Sequence, residues 1–162
     1  MVDLQTVSMV TASASVVAGV IYYGLQLRHQ NKIRQTDLIA RLFSTFISDD
    51  FQIALLKTMN LEFEDYKDFV KKYGSFSLET PVNVAVRKIV YYYSQVGTLL
   101  HRGLVGADLV YEFMGGVTMI WNKLEPLIEG HREHAGYNFG MWFEYLCDEL
   151  KKREQQLTSK TA

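Results

Sequence analysis

Residues Leu4 to Leu27 contain no formally charged side chain, and the run ends abruptly at Arg28, His29, Lys32 and Arg34. As a helix, these twenty-four residues rise roughly 36 Å, against about 30 Å for the hydrocarbon core of a bilayer. Tyr22 and Tyr23 precede the cationic cluster, where amphipathic rings favour the lipid–water boundary. The run therefore predicts one transmembrane helix over residues 1–27. A secretory signal fits poorly, because the only charge ahead of the run is Asp3 and no small-residue cleavage site precedes Arg28. The rival is a long soluble core helix, since Gln5, Thr6, Ser8, Thr11, Ser13, Ser15 and Gln26 dilute the apolar character.

Two faces separate on this helix. Val7, Val10, Ala14, Val17, Ile21 and Leu25 form an apolar stripe suited to lipid. Ser8, Thr11, Ala12, Ser15 and Gly19 place small side chains elsewhere, a pattern that lets a second membrane helix approach closely. Lipids and a membrane-protein partner or second copy are the expected contacts. Positive residues beside a span stay cytoplasmic. Arg28, Lys32 and Arg34 thus predict a single-pass cell-membrane protein with its N-terminus outside, and the same three residues suit anionic headgroups.

The remainder predicts an all-α fold: an antiparallel bundle of four to five helices over a cytoplasmic domain 28–157, with a polar tail 158–162. Ile39, Leu42, Phe43, Phe46 and Ile47 extend the first helix. Ser48-Asp49-Asp50 and Thr80-Pro81 are helix starts. Apolar spacing predicts helices over 61–73, over 80–103 and from 106 to about 125, with Pro126 ending or kinking the last of these. A final helix is expected from near Tyr137. Gly97, Gly115 and Gly116 fall within helical spacing, and with Trp121 they are expected to let the helices of the 80–103/106–125 hairpin cross tightly.

Chemistry is harder to find. Seventeen Lys and Arg balance eighteen Asp and Glu, which argues against nucleic acid as a partner, since that requires a basic face. One cysteine, Cys147, cannot form an intramolecular disulfide. None of the four histidines follows a glutamate by three residues, as di-iron bundles demand. The local set Glu125, Glu129, His131, Glu133 and His134 contains His-x-x-His but lies beside Gly130 and Gly136, so a solvated loop explains it without a metal. No catalytic residue, metal or cofactor is assigned.

Tyr92-Tyr93-Ser94-Gln95-Val96-Gly97-Thr98-Leu99-Leu100-His101-Arg102-Gly103-Leu104-Val105, followed by Trp121-Asn122-Lys123-Leu124-Glu125-Pro126-Leu127-Ile128 and Arg132, resembles an uncharacterised family of small prokaryotic proteins. Gln26-Leu27-Arg28 is similar to that family's anchor exit. The resemblance implies one N-terminal membrane helix and a compact helical domain of unknown function, with no catalytic residues. Two functions stand open: an accessory or scaffolding subunit of a larger membrane assembly, or a membrane-tethered sensor or enzyme with a pocket between helices.

Overall fold

The computed structural model describes residues 3–161, with the side chains of residues 4–8, 10–12 and 160–161 outside that description. Among the described residues there are seven helices and no strand: α1 (Leu4–Phe46), α2 (Asp49–Met59), α3 (Tyr66–Tyr73), α4 (Pro81–His101), α5 (Ala107–Phe113), α6 (Val117–Ala135) and α7 (Met141–Thr161). Contacts divide the chain into two units, Met1–Leu38 and Ile39–Ala162. The first is a stretch of α1 alone. The second holds the end of α1 and six further helices, more than the four or five expected.

Among the described residues, no helix is long and apolar enough to cross a membrane. The structure therefore does not support the expected transmembrane helix over residues 1–27. The reason is length: apart from Asp3 and Met9, the described side chains begin only at Ser13. Ser13, Ser15, Gly19, Tyr22, Tyr23, Gly24 and Gln26 interrupt the apolar residues, and Arg28 closes the run. Ser13 to Leu27 rises only about 22 Å, short of a hydrocarbon core.

In the second unit, local chemistry sets the helix starts. Ser48 Oγ accepts the Phe51 amide at 3.4 Å and opens α2, with Asp49 and Asp50 in the first turn. Thr80 Oγ1 accepts the Asn83 amide at 3.1 Å, and Pro81 follows as the first residue of α4. The helix expected over 61–73 starts only at Tyr66, because Asp65 caps it through the Asp68 amide at 2.8 Å. Residues 61–64 instead fold back: the Glu62 carbonyl accepts from Lys72 Nζ at 3.1 Å, and Leu61 is buried.

Two further boundaries differ from expectation. The helix predicted from 106 to about 125 breaks into α5 and α6 at Met114, Gly115 and Gly116. Gly116 takes φ 77°, a left-handed conformation that a side chain resists. Pro126 does not end α6 but sits inside it. Leu124, Leu127 and Ile128 around it are fully buried, so tertiary packing outweighs the lost backbone hydrogen bond. The last helix starts at Met141, after Gly136 and Gly140 turn the chain at φ 70° each.

The core is built around α4, which packs most extensively on α7 and α2. Val86, Ile89, Val90, Tyr93 and Val96 are sealed from solvent, as are Phe143, Leu146 and Cys147 of α7. Tyr93 stacks on Phe143 with centroids 4.9 Å apart, and Phe51 of α2 meets Tyr92 at 4.5 Å. The Tyr92 hydroxyl donates to the Leu42 carbonyl at 2.9 Å, tying the end of α1 to α4. Gly97 lies at the α4–α7 crossing, where a Cβ would overlap the Trp142 carbonyl and stand 3.3 Å from Leu146 Cβ.

Gly97→Ala should therefore cost about 1–3 kcal/mol by overpacking against rigid backbone. A Cβ on Gly115 would meet nothing within 4 Å and its φ is not positive, so Gly115→Ala should be neutral or stabilise by under ~1 kcal/mol. Thermal unfolding followed by circular dichroism should separate the two, with a melting point lowered by several degrees for the first variant only.

Candidate functional site

The residues singled out in the sequence occupy separate places. On α1, Ser15 and Gly19 lie four apart on one helical face, and among the described residues nothing comes within 4 Å of a Cβ built on Gly19. Ser8, Thr11 and Ala12 lie outside the described side chains. Arg28 and Lys32 are exposed one turn apart, whereas Arg34, also exposed, projects from another side of the helix. Val16, Val17, Val20, Ile21, Tyr22, Tyr23 and Leu25 are each more than half exposed, from 58% to 69%. They encircle the helix rather than forming one stripe. The Ser13 hydroxyl donates to the Met9 carbonyl at 2.9 Å, a bond within the helix that removes the need for water.

The packing residues are distributed differently from the hairpin expected for them. Gly97 lies against α7, not against the 106–125 segment, and Gly115 and Gly116 are in the loop between α5 and α6. Trp121 is buried on α6, donating Nε1–H to Glu125 at 3.1 Å and presenting its ring edge-on to Phe143 at 5.1 Å. The close approach within α6 is made by Gly130, where a Cβ would overlap the Tyr66 side chain of α3.

The histidines and acids do not converge. Among the described residues no group of three or more His, Cys, Asp or Glu could hold a metal ion. His134 is exposed, stacked near Tyr66 at 4.6 Å with Nδ1 2.7 Å from the Gly130 carbonyl. His101 rests on Trp142 at 4.5 Å. Glu144 is paired with Arg132 at 2.8 Å, and Arg132 Nε–H also donates to the Phe139 carbonyl at 2.7 Å, fixing the α6–α7 connection. Cys147 is fully buried, and burial pushes its thiol pKa up, the opposite of a reactive cysteine.

His131 is the exception. Only 7% exposed, it sits in a cage of rings: Phe76 at 4.8 Å, Phe139 at 5.1 Å, Tyr137 at 5.8 Å and Tyr66 at 6.0 Å. Nε2 lies 3.3 Å from the Tyr137 hydroxyl, while Nδ1 is buried without a hydrogen-bond partner. Burial in this apolar setting, with a smaller contribution from nearby His134, lowers its pKa. Beside the cage lies a cleft of about 220 Å³ that includes Arg87 and Tyr91 of α4. A larger cleft of about 660 Å³ lies between the α5–α6 elbow and α7, with Met114, Met119 and Leu150 in its wall. Neither includes His101, Glu112 or Glu144.

Spacing along the chain did not mark the cage, because its members come from the 74–80 loop, α3, α6 and the 136–140 loop. The available local signal was Leu127 and Ile128, both fully buried, at four and three residues before His131. That spacing turns the ring toward the core.

Geometry thus defines a class: a protein that is all-α over its described residues, with a long N-terminal helix, a helical unit around α4, and no metal-holding cluster of His, Cys, Asp or Glu among those residues. Residues 12–149 match the family described as Domain of unknown function (DUF4760), and the chain belongs to that family. No curated protein and no solved structure shows significant similarity to it.

A lowered folded pKa means that the unfolded chain binds the His131 proton more readily. The site's contribution to stability is complete above the unfolded value near 6.5 and is lost as pH falls through the folded value. Melting temperatures at pH 7.5 and 5.5 should fall further for the wild type than for His131→Asn, which keeps a polar group without the titration. Equal slopes would place the acid sensitivity elsewhere.

Proposed function

We propose that this chain is a membrane-anchored helical interaction protein, an accessory or scaffolding subunit that presents the 39–162 unit on the cytoplasmic side of a cell membrane. One observation carries the proposal: Val16, Val17, Val20, Ile21, Tyr22, Tyr23 and Leu25 are exposed all round α1 and give way to Arg28 and Lys32 at the C-terminal end of the run. A helix apolar on every side has no stable place in water. Lipid covers such a surface, and a basic flank holds it against anionic headgroups.

Crossing the bilayer requires more than the described stretch. Residues 4–12 carry no charge either, and together with 13–27 they reach the length of a hydrocarbon core. The intrahelical bond from Ser13 lowers the cost of placing that hydroxyl in lipid. The likeness to small prokaryotic proteins with one N-terminal membrane helix supports the same reading. Ser15 and Gly19, with Ser8, Thr11 and Ala12 ahead of them, supply the surface on which a partner's membrane helix or a second copy packs.

Membrane fractionation tests the anchor. The full chain should remain in the pellet after carbonate washing, and a variant lacking residues 1–38 should appear in the supernatant as a folded helical protein. Ile39 and Leu42, which are buried in the second unit, remain in that variant. Release of the full chain by carbonate would contradict the proposal.

A further inference from the structure

The 220 Å³ cleft beside the His131 cage joins three features that packing alone does not require. Arg87, half-buried on α4, has no hydrogen-bond or ion-pair partner among the described residues. Tyr91 follows it by one turn on the same face, meets Phe139 edge-on at 5.9 Å, and leaves 58% of its surface exposed. Across the cleft, Tyr137 is 54% exposed, with its hydroxyl 3.3 Å from His131 Nε2. Phe76 and Phe139 complete the walls, and no acidic side chain lines the cleft.

The cations nearest Arg87 in space and in sequence carry counter-charges. Arg132, the neighbouring cation, has its charge met by Glu144 through Nη1 and its Nε–H donated to the Phe139 carbonyl, while Nη2 is buried without a hydrogen-bond partner. Lys88, the residue after Arg87, reaches Asp50 at 3.5 Å. Arg87 alone is left as an uncompensated cation at the mouth of an aromatic slot.

We propose that this cleft binds a small aromatic carboxylate. A guanidinium presents two parallel N–H donors that match a carboxylate's two oxygens. Tyr91, Phe139 and Tyr137 offer flat apolar surfaces to a planar body. A single cation with no second positive group suits a monoanion better than a phosphate dianion. The cleft's size limits the body to about one ring. This site lies within the 39–162 unit and is independent of the membrane proposal.

The test is a titration of the full chain in detergent micelles with benzoate, read by NMR on isotope-labelled tyrosine and histidine rings. Benzoate should move the Tyr91, Tyr137 and His131 signals along a saturable curve. Benzamide, which is the same shape without the charge, should bind at least about tenfold more weakly, as expected when a charge-assisted hydrogen bond is lost. Arg87→Met should weaken benzoate by a similar factor at an unchanged melting temperature, while Lys88→Met should leave the affinity as it is. The proposal is overturned if benzoate gives no saturable shift, if benzamide binds equally well, or if Arg87→Met and Lys88→Met behave alike.

Discussion

Residue 97 has no side chain, and this lets α4 lie against the backbone of α7 at Trp142. The rest of the 39–162 unit follows from that crossing. With the two helices this close, Tyr93 can stack on Phe143 and Val96 can be sealed, and α2 and α6 then pack on flanks already filled. A mid-helix glycine costs up to about 1 kcal/mol against alanine. One well-placed aromatic pair returns about 0.5–1.5 kcal/mol beyond its buried area, so the glycine is tolerated where it enables such contacts. Gly140 repeats the device at the start of α7, where a Cβ would stand 3.2 Å from Ile128 and 3.4 Å from Val90.

How much of this was legible depends on whether the signal was local. Ser48, Thr80 and Pro81 mark their helix starts because a cap is a contact between residues three apart. Gly97 could be recognised as a packing glycine, but its partner could not, because periodicity gives a helix's inner face and not what lies opposite. Gly115 and Gly116 were misplaced inside a helix because the flanking apolar residues keep helical spacing through the break. Pro126 differs the other way: a local rule predicts an end or a kink, and burial of Leu124, Leu127 and Ile128 along one face carries the helix through. The His131 cage drew on four segments distant in sequence, and Arg87 gave no local sign that it would be left without a counter-charge.

The two units treat their apolar residues in opposite ways. In the second, the large rings turn inward and the charged groups pair at the edges, as in Arg153 with Asp108 and Lys72 with Asp68. Such exposed pairs add little to stability; the core carries it. In the first, the described valines, isoleucine and tyrosines are exposed along the helix. A chain with −1 net charge has little repulsion to keep such a surface from self-association. Lipid, or another helix within lipid, is the cover that the proposed anchor supplies.

Site-directed cysteine labelling in native membranes tests the anchor most directly. The only native thiol, Cys147, is fully buried and remains silent. With a membrane-impermeant maleimide, Asp3→Cys should label from outside sealed cells, and Lys57→Cys only after permeabilisation. Val17→Cys should stay protected until detergent is added. If Val17→Cys in intact membranes labels as fast as Lys57→Cys does after permeabilisation, residues 13–27 are in water and the account of a membrane-anchored protein is wrong.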